Sequence, residues 1–150
     1  MSDRPVDEVL TAPHALSYAY HRSVGPVLGR FFTALRDRSV LGSKTSDGRV
    51  LVPPMEYDPD TGEALEELVE VGPGGVVTSW AWVAEPLRNH LLARPFAFAL
   101  IRLDGASSSL LHAVDAGEEA QMATGMRVTP RWADETSGSI LDIACFEPAR

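Results

Sequence analysis

A mainly β fold with helices on its N-terminal side is what this 150-residue sequence predicts, and three observations carry the prediction. From residue 76 onward, five short stretches alternate or run apolar between clusters of turn formers. Residues 13–37 instead repeat their apolar positions every three or four places. Between these regions lies KTSDGRVLVPPMEYDPDTG, residues 44–62, which is dense in turn residues.

Residues 1–12 read as a flexible leader. Thr11-Ala12-Pro13 then suits a helix start, since proline is tolerated in the first turn. Leu16, Ala19, Tyr20, Val27, Leu28, Phe31 and Leu35 form an apolar stripe that Gly25-Pro26 interrupts. Two helices are therefore expected, at 13–24 and 26–37, within a helical arm spanning 13–43. Phe31 and Phe32 cannot both be buried on one narrow stripe, so Phe31, Phe32 and Arg30, with Trp80 and Trp82 of the barrel, are expected at a partner interface.

The segment 44–70 is expected to be an extended hairpin followed by an acidic linker. Gly48 closes one turn and Asp58-Pro59-Asp60-Thr61-Gly62 makes another, with Pro53-Pro54 stiffening the arm between them. Residues 71–150 make the barrel. In VVTSWAWV the alternation puts Val76, Thr78, Trp80 and Trp82 on one face and Val77, Ser79, Ala81 and Val83 on the other. FAFALIRL, SLLHAV, MRVTPRWA and SILDIACF supply the other strands, Pro130 marking an edge or bulge. EEAQMATG, between the third and fourth strands, suits one helical turn. Five short strands with an insertion before the fourth fit a small closed barrel of the OB type.

Composition narrows the setting. No apolar run reaches the length of a membrane span, and MSDRPVDEVLTAPHAL lacks the order of a signal peptide. The lone Cys145 allows no internal disulfide and no cysteine-based zinc site, so a cytoplasmic protein is expected. Net charge is −8, which argues against general binding of nucleic acid, a process that rests on neutralising phosphates. The charge is uneven, with seven acids and no base between Glu56 and Glu70. Arg22, Arg30, Arg36 and Arg38 face only Asp37 in the helical arm.

Chemistry is sparse. GPGG at 72–75 precedes a strand and so offers no helix terminus to an anion. DPDTG lacks the glycine position and closing glutamate of a calcium loop. His14, His21, His90 and His112 have no partner at ligand spacing, and no serine sits in a nucleophile elbow. No catalytic residue, metal or cofactor is expected. Trp80 and Trp82 are expected to fill the barrel or cover a protein interface, rather than to stack bases.

Several fragments nevertheless resemble one family. GGVVTSWAWV, RPFAFALIRLDG, TGMRV and CFEP stand in the order of the barrel strands in the family catalogued as domain of unknown function 35. That family combines N-terminal helices, a zinc-ribbon hairpin and an OB barrel, and accompanies thiolase-like enzymes acting on acyl-CoA. Its Pro-Pro falls on Pro53-Pro54 and its two glycines on Gly48 and Gly62. Its cysteine positions fall on Lys44, Asp47, Asp58 and Thr61, which cannot hold tetrahedral zinc. An ion pair from Lys44 to Asp47 or Asp58 is expected to replace part of the metal cross-link. The resemblance implies a non-catalytic accessory subunit of a condensing thiolase, or of a lipid-transfer-protein-type retro-aldolase that shortens steroid side chains. Such a subunit binds its partner and meets acyl-CoA through the complex, with no membrane and no nucleic acid involved. The alternative is a nucleic-acid- or ligand-binding OB module without a thiolase partner, although residues 76–84 carry no Lys or Arg.

Overall fold

The computed structural model describes residues 12–20 and 23–149. Among them are one α-helix, α1 (Gly25–Arg36), and eight strands. These are β1 (Val40–Lys44), β2 (Val50–Leu51), β3 (Leu68–Val71), β4 (Gly75–Val83), β5 (Phe96–Leu103), β6 (Leu110–Val114), β7 (Arg127–Trp132) and β8 (Ile143–Pro148). Glu119–Gln121 and Ile140–Asp142 form single 3-10 turns, the first where one helical turn is expected. No described helix is long and apolar enough to cross a membrane.

Helix α1 starts at Gly25-Pro26 because proline suits the first turn and glycine accepts the φ of +77° that precedes it. Val27, Phe31 and Leu35 recur every fourth residue and are buried. Arg36 lies in the last turn, where a cation complements the helix dipole. The helix expected over 13–24 does not form in the described residues 12–20, which have no regular structure. Leu16, Tyr18 and Tyr20 there are 69%, 77% and 78% exposed. A stripe with nothing to bury against cannot offset the cost of nucleating so short a helix. The leader expected over 1–12 lies outside the described residues except for Ala12.

The arm expected to be helical to residue 43 ends early, because Val40–Lys44 is strand β1. It is the centre of a three-stranded antiparallel sheet ordered β2-β1-β3. Val40 faces Val71 and Ser43 faces both Leu51 and Leu68. Gly42 permits this packing, since a Cβ there would stand 2.6 Å from the Val50 side chain and 2.9 Å from the Leu51 carbonyl oxygen. The end of the acidic run thus becomes strand β3, which its charge conceals in the sequence.

The remaining strands close into a barrel ordered β4-β5-β6-β8-β7, the expected OB arrangement. Closure between β4 and β7 needs only Gly75 against Val128 and Val76 against Arg127. Asp104 and Arg127 reinforce the seam with a two-pronged ion pair of 2.6 and 2.7 Å. Gly75 is required there, because a Cβ would lie 2.6 Å from the Arg102 carbonyl oxygen.

Strict alternation fails once, at a bulge between Val77 and Ser79. Val77 pairs with Ile101, whereas Trp80 and Trp82 pair with Ala99 and Ala97. All of these face inward despite the odd spacing, because the extra residue Thr78 reverses the pleat. The expected grouping of Val76 with Trp80 and Trp82 is therefore corrected: Val76 pairs with exposed Arg102 on the outside. Ala97 and Ala99 leave room for the two indoles, which pack half-buried on the core. Pro130 sits in β7 beside a second bulge, between Arg131 and Trp132, as its missing N–H requires.

One apolar core runs through the molecule. Phe31 and Leu35 of α1 and Val40 of β1 belong to the same buried cluster as Val77, Ile101 and Phe146 of the barrel. A smaller cluster of Phe96, Ala113 and Cys145 lies on the barrel's outer side. The 84–95 connection covers it, with His90 packed edge-on at 5.7 Å from both Phe96 and Phe98.

Phe31→Ala is expected to lower stability by about 3–5 kcal/mol, as for other fully buried aromatics. Phe32→Ala should cost clearly less, and denaturant titration of the two variants checks the order.

Candidate functional site

Two tight turns stand where the resemblance places metal knuckles. In the first, the Gly48 amide donates to the Thr45 carbonyl at 3.0 Å and the Thr45 amide to the Arg49 carbonyl at 2.9 Å. In the second, Gly62 donates to the Asp58 carbonyl at 2.8 Å, and the buried Asp58 carboxylate accepts the Asp60 amide at 2.8 Å. Gly48 and Gly62 have φ values of +86° and +75°, which only glycine adopts cheaply.

Arg49 spans the gap between the turns. Its guanidinium lies 2.8 Å from Asp47, 3.2 Å from Asp58 and 2.8 Å from Asp60. The Asp47 carboxyl is held below its ordinary pKa, first by the Thr45 hydroxyl and then by Arg49. The four positions matched to cysteines thus divide. Asp47 and Asp58 meet through Arg49, Thr61 accepts the Glu63 amide at 3.3 Å, and Lys44 turns away to Glu67 at 3.2 Å. The expected pairing of Lys44 with Asp47 or Asp58 is corrected, because Arg49 already occupies the space between those carboxylates. Two carboxylates already bound to a guanidinium, with the hydroxyl and the ammonium engaged elsewhere, do not fit zinc. A fork of five fixed donors does the cross-linking instead.

A second cluster joins Asp115, Cys145 and Glu147, whose ligand atoms lie within 4.8 Å of one another. Two carboxylates there already meet two guanidiniums. Arg131 reaches Glu147 at 2.6 Å and Asp115 at 3.5 Å, and Arg94 pairs with Asp115. Burial pushes the Cys145 thiol up to about 11, so it stays protonated and unreactive at neutral pH. The cluster is an ion-pair strap that ties the 84–95 connection to β6 and β8. Arg94 and Asp115 are far apart in the sequence and nothing local announces their contact.

The residues expected at a partner interface separate in the same way. Phe31 is only 2% exposed and belongs to the core, so that expectation is corrected for this residue. Phe32 is half-buried and lines a hollow of about 420 Å³ with Val24, Thr33, Arg36 and the loop at Gly138–Ile140. Arg30 is exposed, donates to the Glu66 carbonyl at 3.3 Å, and borders a neighbouring hollow of about 630 Å³. Trp80 and Trp82 belong to the barrel lining instead.

The loop beside Phe32 is built by a buried carboxylate. Asp142 accepts the amides of Ser137, Gly138 and Ser139 at 2.9, 2.8 and 3.1 Å. Burial pushes its pKa up, but these donors outweigh the burial and hold it below the ordinary value. The Ser139…Asp142 spacing is a capping box, a signal present in SILD although the stretch reads as the start of a strand. Thr136 donates to the Arg36 carbonyl at 2.8 Å and joins this loop to the end of α1.

His112 is the one buried histidine among the described residues. Its ring meets Phe146 at 5.6 Å, and its Nδ1 has no hydrogen-bond partner among the described residues. Burial lowers its pKa below the ordinary 6.5.

Comparisons with known proteins agree with this architecture. The family described as "ChsH2, C-terminal OB-fold domain" matches residues 68–133. A solved protein of unknown function from the DUF35 family of Sulfolobus solfataricus is 27% identical, with a TM-score of 0.57 over 71% of this chain and 78% of that one. A chain of the structure described as "Ltp2-ChsH2(DUF35) aldolase" is 18% identical, with a TM-score of 0.63 over 87% of this chain and 100% of that one. No curated protein matches the sequence.

Two outcomes follow from the geometry. Asp58→Ala should cost about 1–3 kcal/mol through lost bonds to a buried carboxylate. Arg49→Met should lower the Tm as well, whereas dialysis of the wild type against EDTA should leave it unchanged. For His112 the folded state favours the neutral ring, so its contribution is full above about pH 6.5 and is lost as pH falls through the lowered folded value. Tm measured between about pH 7 and 5 should therefore fall, and His112→Gln should flatten the slope in that window.

Proposed function

Because the chain is an OB-fold protein of the DUF35 type, we propose that it is a non-catalytic accessory subunit of a thiolase-like acyl-CoA enzyme, acting in the cytoplasm. The observation that carries this reading is the likeness, over 87% of the chain, to a chain of the Ltp2-ChsH2(DUF35) aldolase. That neighbour's description as an aldolase favours a retro-aldolase over a condensing thiolase as the partner, while steroid side-chain acyl-CoA as the substrate class comes from the family resemblance alone. The helical segment and knuckle pair dock, and the barrel helps to shape the partner's acyl-CoA pocket.

The side chains support a non-catalytic part. Cys145 is buried with a raised pKa, and His112 is buried against Phe146. Among the described residues no hydroxyl or thiol hydrogen-bonds a histidine, and the hydroxyls that meet carboxylates, Thr45 at Asp47, Ser46 at Glu63 and Ser137 at Asp142, brace turns and loops.

Features of the barrel count against the alternative, a nucleic-acid-binding OB module. OB domains bind oligonucleotides on the face of their second and third strands, here β5 and β6, and on the loop joining the first two. In this chain that loop folds back over Phe96 and Phe98 and is tied down by Arg94 and Asp115. The indoles of Trp80 and Trp82 face the core, where they offer no open stacking platform.

Co-expression with a thiolase-like subunit encoded beside this chain, followed by size-exclusion chromatography and an acyl-CoA cleavage assay, tests the proposal. One co-eluting complex is expected, with cleavage strongly reduced when this chain is omitted. Separate elution and full activity of the partner alone overturn the reading.

A further inference from the structure

The outward side of α1 is the least finished surface of the molecule. Three hollows of about 420, 630 and 320 Å³ lie on it, the first sharing Gly29 and Thr33 with the second and Val24 and Phe32 with the third. Gly29 and Thr33 are one turn apart and form a low saddle between them. The Thr33 hydroxyl already donates to the Gly29 carbonyl at 2.8 Å, so the saddle asks for no polar partner. Just before the helix, Leu16, Tyr18 and Tyr20 project from the extended residues 12–20 with most of their surface in water.

The rim of this surface is basic in a chain of net charge −8. Arg30 and Arg38 donate to backbone carbonyls, those of Glu66 and Ala133, and pair with no carboxylate among the described residues. Arg36 lies 4.0 Å from an exposed Asp37, a contact that water screens. A two-fold pairing of two copies through this face would set arginines against arginines. The fitting occupant is a different protein carrying an apolar segment edged by aspartate and glutamate.

We propose that the outer face of α1, continued by residues 12–20, is the docking surface for the thiolase-like subunit, which seats an acidic-rimmed apolar segment across the Gly29–Thr33 saddle. This inference rests on the accessory-subunit reading and adds the place and the chemistry of contact. The saddle tolerates substitution without unfolding, since a Cβ on Gly29 meets only the Val24 side chain, at 4.0 Å.

Binding of this chain to the immobilised thiolase-like subunit, measured by biolayer interferometry at low and high salt, tests the inference. Gly29→Leu and Thr33→Trp should each weaken Kd by about 30-fold or more, as at central interface positions, with unchanged thermal melts. Arg30→Glu with Arg36→Glu should slow association and remove most of its salt dependence. Leu111→Glu, on an exposed position of the barrel's outer face, should bind like the wild type. If the α1 variants bind normally and Leu111→Glu does not, the surface is wrong while the accessory reading stands. If the wild-type chain binds no thiolase-like subunit, both fall. A dimer of the chain alone that Thr33→Trp dissolves would overturn the choice of occupant.

Discussion

The packing of Phe31 and Leu35 against the barrel is the contact on which the rest of the structure depends. These two side chains place α1 in the same buried cluster as Val40 of the small sheet and Val77, Ile101 and Phe146 of the barrel. A helix of twelve residues does not hold in water by propensity alone. Its stability comes from that shared core, and so does its orientation. With Phe31 spent inside, Phe32 is turned half outward, and Arg30, Thr33 and Arg36 take the solvent side. Residues 12–20 lack such a contact and remain extended and exposed.

In the two turns at Gly48 and Gly62 a side chain supplies the cross-link. A metal holds two turns together by four short bonds to soft or basic ligands. Here Arg49 bridges Asp47, Asp58 and Asp60 from between the turns. The guanidinium is planar and always charged, so it needs no metal supply and no thiolate. It is partly open to water, however, and its hold is weaker than coordination. The turn glycines and the buried Asp58 carry the local geometry, and the arginine joins one half to the other.

Polar groups with local partners divide the surface into closed and open parts. Arg94 and Asp115 fasten the 84–95 connection over the outer aromatic cluster, covering Phe96 at one end of the β5–β6 face while Leu100 and Leu111 stay exposed. Asp142 spends its lone pairs on three successive amides and shapes the loop beside α1. The hollows between that loop and the helix stay open.

The fold class was legible in the sequence because a barrel strand has period two and the turn formers between strands are unmistakable. Five strand positions, the break at Gly25-Pro26, the glycine turns at Gly48 and Gly62 and the irregularity at Pro130 all follow from local chemistry. That Lys44, Asp47, Asp58 and Thr61 do not make a zinc site was legible too, since it concerns residue type alone. Only the tertiary structure decided what those positions do instead. Arg49 reaches three carboxylates from both turns, and no spacing rule distinguishes it from Lys44, which points elsewhere. The bulge at Thr78 likewise escapes any alternation count, because one unpaired residue exchanges the faces of everything beyond it. Periodicity put Phe31 on the apolar stripe and Phe32 off it, but only the packing on the barrel showed that Phe31 is wholly consumed by the core.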